Sequence, residues 1–191
     1  MISISPMRLF IAIEISPDVR TALAALLKEF RAIAPQVKWV RPENIHITLK
    51  FLGETDSSKL TALQAALSAI RSSQPVTLHF HGLGFFPNEK RAKVFWAGME
   101  ASPNLPTLAA DIDQATHKLG FPLEDRHFTP HLTLARFQPP GLPPKLATAQ
   151  EAASRVFGSL TAHEFHLIES KLKPAGAEYT TLQSFPFVAE A

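Results

Sequence analysis

The chain has 191 residues, 46% of them hydrophobic and 19% charged, which is enough apolar material for one substantial buried core. It contains no cysteine, which excludes a disulfide framework, a thiolate nucleophile and a cysteine-ligated zinc site. A formal net charge of +2 permits an anionic ligand but is too small to indicate nucleic-acid binding by charge alone.

Hydrophobic periodicity predicts strands and helices in alternation from the N-terminus onward. The predicted elements of the first half are a strand at 7–13, a helix at 18–33, a strand at 45–52, a helix at 58–70 and strands at 76–83 and 92–98. Those of the second half are a helix at 103–119, a strand at 131–137, a proline-rich loop at 139–144, a helix at 145–157 and strands at 161–171 and 179–187. Residues 1–15 lack the basic lead and long apolar core of a signal peptide or a membrane span, so we expect a cytoplasmic protein.

The second half of the chain repeats the order of the first after about 85 residues. That shift maps the helix at 18–33 onto 103–118 and the strand at 76–83 onto 161–168, and it maps 92–98 onto 177–183. We therefore predict an α+β fold with mostly antiparallel strands, in which residues 1–191 form a single domain of two pseudo-repeated lobes.

The same shift superimposes two short motifs of matching chemistry, His46-Ile47-Thr48-Leu49 and His131-Leu132-Thr133-Leu134. Side chains alternate between the faces of a strand, so the histidine and threonine of each motif point one way and the aliphatic residues point into the core. One His-x-Thr pattern is typical of an ordinary amphipathic strand, but two copies at equivalent places in a duplicated fold indicate a shared site.

The four polar side chains suit phosphate chemistry. A neutral imidazole accepts a proton from water, and an imidazolium donates one to a departing alkoxide. Threonine hydroxyls donate hydrogen bonds to phosphoryl oxygens on which negative charge develops. The spacing leaves open which histidine is the acid and which the base.

The sequence resembles the two-histidine (2H) phosphoesterase superfamily, and within it the RNA 2′,3′-cyclic phosphodiesterases, also called 2′-5′ RNA ligases. The resemblance covers nearly the whole chain. It is carried by residues 8–13, 39–53, 130–136 and 170–179, with both His-x-Thr motifs intact. It implies two lobes whose sheets flank a central cleft with helices outside, and it implies that His46 is the proton donor and His131 the proton acceptor.

Three further residues are candidates for substrate binding. Arg136 stands where the family carries an arginine near the phosphate, although a regular strand would turn it away from His131, so a bulge or strand end is required. Phe10 resembles a family aromatic that lies near the nucleobase, with a core position as the alternative. Lys50 shares the alternation face of His46 and Thr48, which makes it a candidate for contacting phosphate. Tyr179, late in a strand, is assigned to the core.

We expect no metal and no cofactor. The close pairs His79 with His81 and His163 with His166 lack the spacing of a zinc hydrolase and a third ligand, and the sequence contains no nucleotide-binding glycine loop.

The predicted function is hydrolysis of RNA 2′,3′-cyclic phosphate ends to 2′-phosphomonoesters. The predicted partners are RNA ends or nucleoside 2′,3′-cyclic phosphates, with no membrane and no obligate protein partner. Two alternatives remain open: 2′-5′ RNA ligation in the same cleft, and a non-catalytic protein whose histidines only bind the RNA end.

Overall fold

Nine strands and three helices make up the fold in a computed structural model that describes residues 6–70, 74–143, 146, 154–174 and 176–187. The strands are β1 (Met7–Glu14), β2 (Lys38–Trp39), β3 (His46–Thr55), β4 (Val76–Phe86), β5 (Val94–Ala101), β6 (Leu132–Arg136), β7 (Val156–Ala162), β8 (Glu164–Lys173) and β9 (Gly176–Pro186). The helices are α1 (Pro17–Ile33), α2 (Leu60–Ser68) and α3 (Asn104–His117). The α+β prediction is confirmed.

All nine strands belong to one antiparallel sheet, in the order β7-β4-β5-β6-β3-β1-β8-β9, with β2 paired to β6. The two halves of the sheet meet where β3 and β6 pair through Ile47 and Leu132. The strands thus form one continuous antiparallel sheet, which is curled.

Each half of the sheet takes strands from both halves of the sequence. Counted outward from the junction, β3 occupies the position equivalent to β6, β1 that of β5 and β8 that of β4. The structural repeats are therefore β1–β4 and β5–β8, and the strand that ends each repeat pairs with the strand that begins the other. The sequence repeat and the spatial lobe are therefore different units, an arrangement that the 85-residue shift does not reveal.

Helix α1 shows why these residues form this element. Ser16 caps its N-terminus by accepting a hydrogen bond from the Val19 backbone N–H at 3.4 Å, and Pro17 occupies the first turn, where a missing N–H is tolerated. Its buried stripe faces the sheet at helical spacing: Val19, Leu23, Leu26, Leu27 and Phe30.

The sheet has two unlike faces. The core face is covered by the helices and carries fully buried side chains such as Ile11, Ile47 and Leu132. The opposite face, called the cleft face below, carries a small separate apolar cluster: Phe10, Ala12, Ile168 and Tyr179. The cleft face therefore carries a much smaller buried apolar cluster than the core face.

Predicted and observed elements differ mainly in the last third of the chain. Residues 161–171, predicted as one strand, are divided between β7 and β8, which pair with different neighbours. Most of the helix predicted at 145–157 lies outside the described residues, and its last two positions, Val156 and Phe157, belong to β7 instead. No helix within the described ranges is long and apolar enough to cross a membrane.

Candidate active site

The two motif histidines are held in the same way. His46 opens β3 and His131 immediately precedes β6. The Nδ1 of His46 lies 2.8 Å from the carbonyl oxygen of Asn44, and the Nδ1 of His131 lies 2.8 Å from that of Thr129, two residues upstream in each case. A carbonyl oxygen only accepts, so each Nδ1 carries a proton and donates it, which leaves each Nε2 available for chemistry.

The strand register brings both motifs to the cleft face. Ile47 and Leu132 are directly opposite each other and both are fully buried on the core face. Residues on either side of them in each strand point the other way. The four polar side chains of the motifs consequently share the cleft face on neighbouring strands: His46, Thr48, His131 and Thr133.

Aromatic rings enclose His46. Its ring centroid lies 4.6 Å from that of Phe10 and 5.4 Å from that of Tyr179, and the two aromatic rings are 4.9 Å apart. Phe10 is only 3% exposed, so it has no open face on which a base could stack. Phe10 therefore occupies the core position given as its alternative, with its ring packed against that of His46. Tyr179, assigned to the core, instead belongs to this cluster and is partly exposed.

This enclosure has a large electrostatic effect. Burial lowers the pKa of His46 from 6.5 to about 4, because the charged imidazolium loses hydration. Within that net shift, the neighbouring Arg136 and His131 also act to lower the pKa, whereas the hydrogen bond to Asn44 and the carboxylate of Glu14, which is opposite His46 in the register, act to raise it. In the protein without ligand, His46 is therefore neutral at neutral pH.

The other wall of the site surrounds His131. The Phe86 ring meets the imidazole edge-on at a centroid distance of 5.0 Å, and Trp96 lies opposite Thr133 in the register. A Cβ at Gly84 would approach the Trp96 ring to 2.2 Å, so glycine is required for the ring to lie there. The Trp96 Nε1 is buried and has no hydrogen-bond partner among the described residues.

Two matched bulges decide which residues follow each motif onto the cleft face. In β6 the partners of Trp96 and Phe95 are Thr133 and Ala135, so Leu134 is an extra residue. The alternation is shifted by one, and Arg136 rejoins the face of Thr133. The bulge that Arg136 requires to reach the face of the motif is thus present. The Arg136 side chain is exposed, and its charge lowers the pKa of the nearby His46.

An equivalent bulge in β3 turns Lys50 away from the cleft face. Ala12 pairs with Thr48 and Ile11 with Lys50, so Leu49 is the extra residue. Lys50 then faces the core, is 2% exposed, and its Nζ donates to the Asp113 carboxylate. The prediction that Lys50 shares the face of His46 is wrong, because simple alternation does not survive the bulge.

The family model described as LigT-like phosphoesterase matches residues 13–96 and again residues 99–179. The chain belongs to the LigT-like phosphoesterase family. The resemblance stated from the motifs is confirmed.

The similarity to individual members of the LigT-like family extends over nearly the full length. The chain is 36% identical over 180 residues to an RNA 2′,3′-cyclic phosphodiesterase of Archaeoglobus fulgidus, covering 94% of this chain and 99% of that protein. A crystal structure of a Thermus thermophilus protein is 31% identical with a TM-score of 0.81, covering 97% of this chain and 100% of that one. Escherichia coli LigT complexed with 3′-AMP is 29% identical with a TM-score of 0.74, covering 95% and 98%.

One exposed residue of this LigT-like phosphoesterase was missed from sequence. Phe51 follows the β3 bulge just as Arg136 follows the β6 bulge, and it lies opposite Phe10 on the cleft face. Its side chain is 57% exposed and its ring centroid is 6.2 Å from that of Phe10. Because the shift of 85 residues places Phe51 at the position equivalent to Arg136, the sequence repeat could have indicated Phe51 as a further candidate.

Two of the other histidines, His79 and His166, contact serine side chains. His79 Nδ1 contacts Ser159 Oγ at 2.8 Å, and His166 Nδ1 contacts Ser184 Oγ at 3.0 Å. Within the described part of this phosphoesterase, no group of three or more histidine, aspartate or glutamate side chains is placed to hold a metal ion.

Proposed function

We propose that this enzyme hydrolyses 2′,3′-cyclic phosphate ends of RNA to 2′-phosphomonoesters by acid and base catalysis between His46 and His131. The observation that carries the proposal is the equivalent anchoring of the two imidazoles, each Nδ1 donating to a carbonyl two residues upstream. Both Nε2 atoms are thereby fixed as the reactive atoms on neighbouring strands.

In the proposed reaction, water is the nucleophile. His131 accepts a proton through Nε2 as the water oxygen attacks phosphorus, and His46 donates a proton through Nε2 to the departing 3′ oxygen. The P–O3′ bond breaks, and the products are a 2′-phosphate and a 3′-hydroxyl. His46 is neutral in the free enzyme, so the donor role requires it to take up a proton when the phosphate anion binds.

The other cleft-face residues have matching roles. The hydroxyls of Thr48 and Thr133 donate to the non-bridging phosphoryl oxygens, and Arg136 contributes charge and a forked set of donors. Exposed Phe51 offers a ring on which any base can stack. The curated relative named RNA 2′,3′-cyclic phosphodiesterase and the 3′-AMP complex of E. coli LigT support a phosphorylated nucleotide end as the ligand.

The test is hydrolysis of an RNA oligonucleotide ending in a 2′,3′-cyclic phosphate, with EDTA present and with the product isomer identified. Wild type is expected to give the 2′-phosphate, and His46→Ala and His131→Ala are expected to lose at least about 100-fold in rate. His79→Ala is the matched control, since the His79 Nδ1 contacts the Ser159 hydroxyl on β7, at the edge of the sheet.

Each alternative outcome is informative. Inactive wild type that still binds the RNA end would support the non-catalytic binder. A 2′-5′ linkage formed when 5′-hydroxyl RNA is added would add ligation to the activity. Loss of hydrolysis with EDTA, or full activity in both histidine variants, would contradict the proposed mechanism.

A further inference from the structure

Lys50 is a buried cation that links the strand of the first motif to the segment leading into the second. It is 2% exposed, its Nζ donates to the Asp113 carboxylate, and the same Nζ donates to the backbone carbonyl of Pro122 at 2.8 Å. The carboxylate of Glu124 lies 4.0 Å from that Nζ. Asp113 belongs to α3, so three separate parts of the chain meet at one ammonium group.

Asp113 extends the link by one more contact. Its two carboxylate oxygens each lie 3.3 Å from the backbone nitrogen of Glu124, which donates to them. The two side chains together therefore hold the backbone at residues 122 and 124. We call Lys50 and Asp113 the buried pin.

The segment that the buried pin holds ends at the second motif. Residues 121–131 contain no helix or strand, and they end at His131. Within this segment the carbonyl of Thr129 accepts the hydrogen bond that orients the His131 ring. The buried pin holds residues 122 and 124, and further along the segment Phe128 packs against the hydrophobic core. Without the buried pin, the part of the segment without these hydrogen bonds runs from Phe121, whose N–H donates to the Thr116 carbonyl at 3.3 Å, to Phe128.

A stability role alone is a weak reason for a buried ion pair here. Removing two charges from water carries a desolvation cost that their attraction repays only in part, and well-packed apolar replacements are often as stable. What an apolar pair cannot supply is a donor to the Pro122 carbonyl and an acceptor for the Glu124 N–H. Those two contacts are the ones that reach the His131 segment.

We propose that Lys50 and Asp113 are positioning residues, which hold residues 122–124 from the core side of the sheet and so fix the Thr129 carbonyl and the His131 imidazole against His46. The inference rests on the proposed function for its catalytic consequence. Small displacements of a reacting group lower the rate steeply, so loosening this segment should reduce kcat much more than it weakens substrate binding.

The test variant is Lys50→Met combined with Asp113→Leu, which removes both charges together and leaves neither one buried alone. The matched control is Lys59→Met. Lys59 also donates to a carbonyl beyond α3, that of Leu119 at 3.1 Å, and lies over the Phe121 ring, but it does not reach residues 122–124. Each protein is examined for thermal unfolding, for kcat and KM on the cyclic-phosphate oligonucleotide, and for backbone hydrogen exchange.

We expect the double variant to unfold at nearly the wild-type temperature, to lose at least about tenfold in kcat with little change in KM, and to exchange faster across residues 122–131. Lys59→Met should match wild type in kcat and in the exchange of that segment. Unchanged exchange at 122–131, or wild-type kcat in the double variant, would overturn the inference.

Two other outcomes would also decide whether the inference holds. A fall in kcat that only follows a loss of folded protein would mean that the pair is merely structural, which also overturns the inference. Faster exchange of 122–131 in a protein whose wild type has no cyclic phosphodiesterase activity would support the buried pin and refute the proposed function, so the two failures are distinguishable.

Discussion

Binding of a phosphate anion is expected to protonate His46. In the free enzyme, burial holds the pKa of this imidazole at about 4, and the charges of Arg136 and His131 act in the same direction. A cyclic phosphodiester brings one negative charge to the cleft face. Because that charge favours the imidazolium, ligand binding should raise the pKa of His46.

The size of the effect follows from Coulomb's law. Two unit charges about 4 Å apart interact by roughly 4 kcal/mol at an effective dielectric constant of about 20. Since about 1.4 kcal/mol corresponds to one pKa unit, a single phosphate charge raises the pKa of His46 from about 4 to about 7. That value suits a general acid working near neutral pH.

The assay is a titration of the His46 ring resonances by NMR in ¹⁵N-labelled protein, with and without a saturating nucleoside 2′-phosphate. The ring resonances of His79, whose Nδ1 contacts the Ser159 hydroxyl, serve as the internal control in the same spectra. The pH dependence of kcat/KM, which reports the free enzyme, should show the low pKa, whereas that of kcat should show the raised one.

Two results would refute this reasoning. If the pKa of His46 stays near 4 in the complex, His46 cannot be the proton donor, and the acid and base roles are reversed. If His46 without ligand titrates near its ordinary value of 6.5, the enclosure by Phe10 and Tyr179 does not desolvate it as the geometry indicates.

Three further predictions concern the same site. In the folded protein the pKa of His46 lies below its unfolded value of 6.5, so the unfolded state binds more protons between pH 6.5 and 4. As the pH falls through that range, wild type should lose roughly 3 kcal/mol of unfolding free energy. Chemical denaturation of His46→Gln should show a smaller loss. Arg136→Ala should lower kcat/KM about 100-fold, with Arg136→Lys in between because lysine lacks the fork; equal rates in steady-state assays would remove Arg136 from the phosphate site. Phe51→Ala should raise KM for cyclic nucleotides roughly tenfold while Phe51→Trp restores binding, and since the side chain is 57% exposed, thermal unfolding should barely change; unaltered KM would exclude stacking on Phe51.

Many of the helices and strands, and the shared face of the two motifs, could be predicted from the sequence because they depend on local patterns. The periodicity at 18–33 reflects the apolar stripe of a helix, and the helix is observed at Pro17–Ile33. To predict that the histidine and threonine of each motif share a face, it is enough that side chains alternate over three residues of a strand. The structure puts all four polar side chains on one face. The duplication followed from the order of elements.

The tertiary structure decided what lies immediately beyond the motifs. A bulge is set by how one strand hydrogen-bonds to its neighbour, so alternation read along a single strand fails at the first extra residue. The β3 bulge turned Lys50 into the core and Phe51 to the cleft, while the β6 bulge turned Arg136 to the cleft. The low pKa of His46 likewise depends on Phe10 and Tyr179, which come from β1 and β9 and meet His46 only after the sheet is assembled. Local alternation determined which motif residues share a face of the sheet, and contacts between distant strands decided their surroundings.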